Sequence, residues 1–268
     1  CFVKLRRQPT TRTSNYTKHL FLIRHGQSAW NKGKDDLSLQ NTLMRIDHPL
    51  TAMGVEQASS LNRCWRQKLG AEGGERLASL KGDDSVSESL MEQRFMTAGL
   101  VLVSPLCRAF QTAIVALSGH PTVRESGMKL LRTIREIKKS RAGVDCKADK
   151  LGEDISARVR AELAKIVGEE QVNAMMPEEL MAKLNYNDTR SKWWTEKGMD
   201  HEDANRRRVL DFLMQVCFMD AKSAIVVGHS NFFFDLVSRC LDPEWRDDPN
   251  NPLAKKLTEH KLANCACL

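Results

Sequence analysis

The stretch His19–Asn31, HLFLIRHGQSAWN, decides the fold. Its apolar run Leu20–Ile23 predicts a short buried strand, and Arg24, His25 and Gly26 end that run in a polar turn. We interpret Gly26 as the residue that lets the backbone leave the strand at an angle that a residue with a Cβ would resist. A buried strand therefore delivers a guanidinium and an imidazole to its carboxyl end.

Two distant stretches repeat this design of strand, tight turn and helix. In LVLVSPLCRAFQTA, from Leu100 to Ala113, the strand-like run ends at Ser104, and Arg108 falls in the first turn of the predicted helix. In SAIVVGHSNFFFD, from Ser223 to Asp235, the strand-like run ends just before His229. Because the carboxyl ends of parallel strands lie at one edge of a sheet, we expect all three turns to line one pocket.

These patterns predict an α/β fold, a three-layer sandwich with a mainly parallel central sheet and helices on both faces. We expect one domain over residues 1–268, because the three motifs serve a single site and no Pro/Gly/Ser linker separates them. Residues 1–18 are predicted to form a basic tail, and residues 147–200 a long insertion.

The remaining segments give local predictions. Thr51 is predicted to cap the start of a helix whose apolar residues recur at helical spacing. Residues 122–124 are predicted to form a short strand. Amphipathic patterns predict helices at 155–167 and 178–184. The terminal CACL fits a prenylation box, but we favour a final strand, cut short, within 261–268.

The adjacent Trp193 and Trp194 in the insertion have two interpretations. They could cover the pocket as part of a lid, or they could anchor the insertion to the core. We favour anchoring, because tryptophan side chains bury large areas.

The charge and hydropathy patterns bear on the possible partners. The net charge is +7, but the 41 basic residues are scattered among 34 acidic ones and form no stripe interleaved with aromatic residues. We therefore predict no nucleic-acid binding, and a positive field suited to phosphorylated substrates. No apolar run approaches 18 residues, so no membrane span is predicted.

The eight cysteines lack the spacing of a zinc site or of a CxxC redox motif, and no histidine pair has metal-ligand spacing. Reduced cysteines on apolar helix faces favour a reducing compartment, and we predict a cytoplasmic location. The chain starts at Cys1, which suggests a fragment or a processed form. Its basic first 18 residues also fit the end of an organellar transit peptide, although we favour a disordered tail.

Five segments carry a family resemblance: RHGQSAWN, DHPLTAMGVEQA, SPLCRAFQTA, IREI and GHSN. In this order, over about residues 18–241, they resemble the histidine phosphatase superfamily, which includes phosphoglycerate mutases and acid-type phosphatases. The resemblance implies a phosphohistidine mechanism with His25 as the nucleophile and Glu136 as the proton donor. It also implies a phosphate and substrate pocket that consists of Arg24, Ser28, Asn31, Arg108 and His229.

The chemistry of these residue types agrees with that assignment. Two guanidiniums and an imidazole can neutralise the roughly two negative charges of a phosphoryl group, so no metal or cofactor is predicted. A histidine with a reference pKa of about 6.5 is substantially neutral at pH 7 and has a lone pair for attack on phosphorus. Glu136 can donate a proton if burial or neighbouring carboxylates raise its pKa. The predicted partner is a small phosphorylated substrate or a phosphoprotein.

Three functions fit these residues: a phosphomonoesterase, a phosphoglycerate-type mutase, and a pseudo-enzyme that binds phosphorylated ligands. A mutase is expected to carry an FTGW-like segment after WN, and this chain has KGKDDLSLQNTLMRIDHPLT there. The insertion at 147–200 could still close over the pocket as a mutase requires. The presence of both histidines and both arginines argues against a pseudo-enzyme. We therefore favour the phosphatase.

Overall fold

The computed structural model of the protein describes residues 17–35, 45–72, 88–139, 144–195, 198–248 and 250–268. The strands are β1 His19–Arg24, β2 Leu100–Val103, β3 Lys129–Leu130 and β4 Ser223–Gly228. The helices before β4 are α1 Ala29–Asp35, α2 Ala52–Glu72, α3 Glu88–Met96, α4 Cys107–Ala116, α5 Pro121–Ser126, α6 Asp154–Val167, α7 Glu169–Met175, α8 Glu178–Met181 and α9 Glu202–Cys217. Those after β4 are α10 Ser230–Cys240, α11 Pro243–Arg246 and α12 Pro252–Glu259. Three 3₁₀ turns cover Arg132–Ile134, Val144–Cys146 and Asn187–Thr189.

The four strands form one sheet in the order β1-β4-β2-β3, and every pair in it is parallel. Ile23 of β1 and Val103 of β2 both pair with Val227 of β4, so the three carboxyl ends are level. β4 is buried along its whole length, as expected for a parallel strand between two layers of helices. The predicted α/β class with a mainly parallel sheet is confirmed.

Side chains of successive strand residues point to opposite faces of the sheet and enter two separate apolar clusters. Phe21, Ile23 and Val227 pack on one face, with buried residues from α2, α4 and α6. Leu22 and Val226 pack on the other face, with buried residues from α9 and α10. Helices therefore cover both faces, and the predicted three-layer arrangement is confirmed.

The last residues run antiparallel beside the free edge of β1. Leu22 and Leu268 exchange two backbone hydrogen bonds of 2.9 and 3.0 Å, and Ile23 forms a bridge with Cys267. The final strand predicted within 261–268 is therefore present only as an isolated bridge, and the described residues 250–268 form no regular strand. The same segment reaches the end of β1, where the backbone N–H of Arg24 donates to the carbonyl of Ala266 at 3.1 Å.

The insertion is built into the core. Val159 and Leu163 of α6 are fully buried in the same cluster as α2 and α4. Trp193 is also buried, and its Nε1 donates to the carbonyl of Lys150 at 3.1 Å. Anchoring is therefore confirmed for Trp193, whereas Trp194 is only partly buried against it.

Three local predictions have mixed outcomes. The Thr51 Oγ1 accepts a hydrogen bond of 3.1 Å from Gly54 N–H and caps α2, as predicted. The strand predicted at 122–124 is wrong, because these residues lie in α5, where Pro121 occupies the first turn and favours helix. The helices predicted at 155–167 and 178–184 correspond to α6 and to the shorter α8.

Gly26 is required for a different reason than predicted. Its φ is not positive, but a Cβ placed on it would lie 2.5 Å from the carbonyl oxygen of Gly54. A Cβ on Gly54 would lie 2.1 Å from the carbonyl oxygen of Gln27. The two glycines thus let the start of α2 pack directly on the turn that carries His25.

Some predictions fall wholly or partly outside the described residues. The basic tail at 1–18 does so except for its last two residues, and Lys18 donates to the carbonyl of Ala221 at 2.9 Å. Within the described ranges, no helix is long and apolar enough to cross a membrane. The described cysteines are all free thiols.

Candidate active site

Backbone hydrogen bonds at the carboxyl edge of the sheet bring the three predicted turns together. The N–H of His25 donates to the carbonyl of Gly228 at 3.0 Å, and the N–H of Ser104 donates to that of Val227 at 2.9 Å. The residues that follow β1 and β2 are therefore both tied to the end of β4, directly before His229. His25, Arg108, Glu136 and His229 are each at most 5% exposed, and Arg108 influences the pKa of the other three, so they form a buried cluster.

The imidazole of His25 is held in one tautomer. Its Nδ1–H donates to the carbonyl of Gly26 at 2.6 Å, and a carbonyl can only accept. Its Nε2 accepts a hydrogen bond of 3.2 Å from Nε of Arg108. Burial, followed by the charges of Arg108 and Arg24, lowers the pKa of His25 well below its usual value. The ring is therefore neutral near pH 7, with its lone pair on Nε2.

His229 lies beside His25, with ring centroids 5.1 Å apart. Its Nε2 is 2.7 Å from the hydroxyl oxygen of Ser104, and its buried Nδ1 has no hydrogen-bond partner among the described residues. Burial, followed by the charge of Arg108, lowers the pKa of His229 well below its usual value. If Ser104 donates to Nε2, then Nδ1 carries the proton and can donate to a ligand.

Two guanidiniums, those of Arg24 and Arg108, lie close enough to influence the pKa of His25. Arg24 donates from Nη1 to the carbonyl of Leu262 at 2.6 Å, while its buried Nε has no hydrogen-bond partner in the part of the chain that the structure describes. Burial lowers the pKa of Arg24, Glu136 raises it and Arg108 lowers it, so these groups share one electrostatic environment. Arg108 sits in the first turn of α4, where the helix dipole also favours an anion.

Asp145 was not found by the sequence analysis. Its backbone carbonyl accepts a hydrogen bond of 2.7 Å from Nη1 of Arg108, and its carboxylate Oδ2 lies 3.5 Å from Nη2. Nη1 and Nη2 of Arg108 thus face Asp145 while its Nε faces His25. No residue pattern around Asp145 indicates this role, because the contact depends on where the 3₁₀ turn Val144–Cys146 lies.

Ser104 was noted only as the end of a strand. Its position directly after β2, at the level of His229, could have predicted this contact, because a hydroxyl at this edge of the sheet can orient an imidazole.

Glu136 lies at the amino end of α10. Its Oε1 accepts hydrogen bonds from the N–H of Ile137 at 2.8 Å and of Phe232 at 3.3 Å, and its Oε2 accepts one from Asn231 at 3.5 Å. Burial raises the pKa of Glu136, whereas Arg108 and the backbone N–H groups of Ile137 and Asn231 lower it by a smaller amount. A carboxyl group with a raised pKa can carry a proton in a buried site.

Ser28 and Asn31 bond to each other. The Oδ1 of Asn31 accepts from the backbone N–H of Ser28 at 3.1 Å and from its hydroxyl at 2.8 Å, and the N–H of Asn31 donates to that hydroxyl at 3.3 Å. These contacts cap the start of α1, two residues beyond Gly26. Their predicted part in substrate binding stays a prediction.

Among the described residues, no group of three or more His, Cys, Asp or Glu side chains could hold a metal ion. The positive charge at the site comes from Arg24 and Arg108, and the titratable partners of His25 are guanidiniums rather than carboxylates. This is the charge pattern of a site for an anion.

No family model matches the chain, and no curated protein matches it. Among solved structures, it is similar to a putative alpha-ribazole-5'-P phosphatase from Escherichia coli, with 19% identity, coverage of 94% of this chain and 89% of that chain, and a TM-score of 0.47. It is similar to the ecdysone phosphate phosphatase of Bombyx mori, with 16% identity, coverage of 93% and 87%, and a TM-score of 0.48. It is also similar to a mycobacterial glucosyl-3-phosphoglycerate phosphatase, with 12% identity, coverage of 94% and 88%, and a TM-score of 0.44. At 12–19% identity, the similarity of the chain to these three phosphatases concerns the fold.

Proposed function

We propose that this protein is a phosphomonoesterase that hydrolyses a phosphorylated substrate through a phosphohistidine on His25. One observation carries the proposal. The Nε2 of His25 is an unprotonated acceptor in a buried cluster, fixed by the Gly26 carbonyl on one side of the ring and by Arg108 on the other. This arrangement suits an imidazole that attacks an anionic phosphorus centre.

In the first step, the lone pair of Nε2 forms an N–P bond and the ester P–O bond breaks. The departing oxygen takes a proton from the carboxylic acid of Glu136, whose pKa is raised by burial. Glu136 then becomes a carboxylate, which the backbone N–H groups of Ile137 and Phe232 can stabilise.

In the second step, water attacks the phosphohistidine. The carboxylate of Glu136 takes a proton from this water as its oxygen bonds to phosphorus, and the N–P bond breaks. Inorganic phosphate leaves, and His25 and Glu136 return to their first protonation states.

Charge stabilisation is assigned to Arg24, Arg108 and His229. Among the described residues, Nε of Arg24 and Nδ1 of His229 are buried without a hydrogen-bond partner, and in the proposed tautomer, in which Ser104 donates to Nε2 of His229, both donate to phosphoryl oxygens. We propose that these groups supply the charge that a metal provides in other phosphatases, so that no metal or cofactor takes part. The substrate is a small phosphate ester or a phosphoprotein. The free thiols support a reducing location such as the cytoplasm.

Rapid alkaline quenching with ³²P-labelled phenyl phosphate tests the proposal, because a phosphohistidine is stable in alkali and hydrolyses in acid. Wild-type protein should retain label on His25 and release inorganic phosphate in the presence of EDTA. His25→Ala should show neither, whereas exposed His260→Ala serves as a matched control and should behave as wild type. Label on another residue, or full loss of activity on chelation with recovery on adding a divalent ion, would overturn the mechanism. Phosphoglycerate isomerisation many-fold faster than phosphate release would replace the phosphatase by the mutase.

A further inference from the structure

The proposed mechanism does not use Asp47, yet the carboxylate of this residue contacts the helix that carries Arg108. Its Oδ1 accepts a hydrogen bond of 2.7 Å from the backbone N–H of Cys107, the first residue of α4 and the neighbour of Arg108 in the chain. Asp47 is 3% exposed and Cys107 is fully buried, so bulk water does not compete for this bond. The bond joins segments that are 60 positions apart.

The start of α4 receives no cap from its own segment. The first N–H groups of a helix lack partners within the helix, and a side-chain oxygen just before the helix usually accepts from one of them. Leu106 occupies that position here, and its side chain makes no cap hydrogen bond. Asp47 therefore caps α4 from a distant loop, and its carboxylate also suits the positive end of the helix dipole.

The backbone of Asp47 restricts which residues can take this role. Its φ is 48°, in the left-handed region that Asp, Asn and Gly adopt more readily than other residues. The loop is also held by Arg158 of α6, whose Nη2 donates to the carbonyl of Asp47 at 3.1 Å and whose Nε lies 3.9 Å from Oδ2. The insertion therefore fixes the residue that caps α4.

The position of this first turn matters because of Arg108. Its Nε donates to Nε2 of His25 at 3.2 Å, and its Nη1 donates to the carbonyl of Asp145 at 2.7 Å. Without the cap, the buried N–H of Cys107 would lack a partner, and a shift of the first turn would relieve that cost. A misplacement of about 1 Å in a group that positions a substrate can lower a rate by on the order of 100-fold.

We propose that Asp47 is a positioning residue for Arg108, which holds the first turn of α4 so that the guanidinium stays aligned with His25 and with a bound phosphate. This inference rests on the proposed function, because it assumes that Arg108 binds the phosphoryl group. It assigns the role to the acceptor oxygen of Asp47 rather than to its negative charge.

The environment of Asp47 agrees with a role for the oxygen alone. Burial raises the pKa of Asp47 to about 6, whereas Arg158 and the N–H of Cys107 lower it by a smaller amount. At pH 7 the carboxylate is therefore less favourable in the folded protein than in the unfolded chain. An amide of the same shape should thus keep the cap without loss of stability.

Two variants that both fit a φ of 48° test the inference. Asp47→Asn keeps an oxygen that can accept from Cys107, whereas Asp47→Gly removes it without straining the backbone. We expect Asp47→Gly to weaken the binding of inorganic phosphate and to lower kcat/KM for phenyl phosphate by roughly tenfold, the factor that corresponds to one hydrogen bond. Asp47→Asn should keep nearly the wild-type values. Calorimetric titration of the folded proteins with phosphate measures the affinity, which a loss of stability alone does not change.

If Asp47→Gly does not fold, Cys107→Pro makes the same test from the donor side. Proline removes the N–H and is tolerated at the first position of a helix, and the extended backbone of Leu106 fits a following proline. The variant that folds should show the loss of phosphate affinity.

The outcomes separate this inference from the proposed function. If Asp47→Gly binds phosphate as wild type does, or if Asp47→Asn loses as much affinity as Asp47→Gly, the positioning role is wrong and the phosphatase stands. If wild type binds phosphate but hydrolyses no ester, the proposed function fails, and the affinities of the two variants still decide the role of Asp47. If wild type does not bind phosphate, both are wrong.

Discussion

The Nε of Arg108 donates a hydrogen bond of 3.2 Å to Nε2 of His25, across 83 positions of sequence. The bond joins the first turn of α4 to the residue after β1. It points the guanidinium at the same nitrogen that attacks phosphorus in the proposed mechanism. A phosphoryl group that approaches Nε2 therefore meets the positive charge of Arg108 at the point of bond formation.

The role of Glu136 depends on the leaving group. We expect Glu136→Gln to lower kcat/KM for an alkyl phosphate such as glycerol 3-phosphate by about 100-fold or more, because an alkoxide needs a proton to leave. The loss for 4-nitrophenyl phosphate should be much smaller, since nitrophenolate leaves without one. Steady-state kinetics with both esters measures the difference. Equal losses would remove Glu136 from the role of acid.

The carboxylate of Asp145 offsets part of the charge of Arg108, with Oδ2 of Asp145 3.5 Å from Nη2. We expect Asp145→Asn to tighten competitive inhibition by inorganic phosphate by up to about tenfold, because both side chains of the pair are largely buried and solvent screens them little. The backbone hydrogen bond of Asp145 to Arg108 remains in this variant. Asp149→Asn, an exposed acid nearby that pairs with Arg158, is the control. Weaker inhibition in Asp145→Asn would indicate instead that the carboxylate orients Arg108 for phosphate.

At Gly54, replacing glycine by alanine should destabilise the protein, although such a replacement usually stabilises a helix. Replacement by alanine inside a helix ordinarily gains about 0.5–1 kcal/mol. Here the new Cβ would lie 2.1 Å from the carbonyl oxygen of Gln27, which is backbone and cannot rotate away. We expect Gly54→Ala to lower the free energy of unfolding by about 1–3 kcal/mol in urea titrations, as overpacking does. Exposed Ser60→Ala in the same helix should change it little. A stabilised Gly54→Ala protein would refute the close packing of α2 on the His25 turn.

The stability of the protein should depend on pH through His25. Its pKa in the folded protein lies well below the usual 6.5, so below pH 6.5 the unfolded chain takes up a proton that the folded protein excludes. The contribution of His25 to stability is therefore constant above pH 6.5 and becomes increasingly unfavourable as the pH falls. We expect the unfolding free energy of His25→Asn, relative to wild type, to rise by up to about 1.4 kcal/mol per pH unit below 6.5.

Urea titrations at several pH values between 8 and 5 measure this relative change. Buried carboxyl groups oppose the overall trend, since burial raises the pKa of Asp47 to about 6, but they cancel in the difference between the two proteins. Exposed His260→Asn should follow wild type at every pH. A difference that does not vary with pH would mean that His25 titrates normally in the folded protein.

The motifs predicted which residue types lie at the carboxyl edge of the sheet, because the end of a strand can be recognised in a short segment of sequence. Apolar runs that stop at a polar turn are visible in Leu20–Ile23 and Ala224–Val227, and parallel strands place such turns at one edge. The contact of His25 with Arg108 and the proximity of its ring to His229 follow from that rule. The helical content of residues 121–126 did not follow, because a short β-branched segment after a proline fits either conformation.

The sequence by itself determined the α/β class, the parallel edge and the residue types that reach it, because each depends on periodicity along a short segment. Only the tertiary structure decided what surrounds them. The carboxylate of Asp145 against Arg108 and the contact of Gly54 with the His25 turn each join segments far apart in the chain. Such contacts depend on how the layers pack, and packing distances of a few ångströms leave no periodic signal in the sequence.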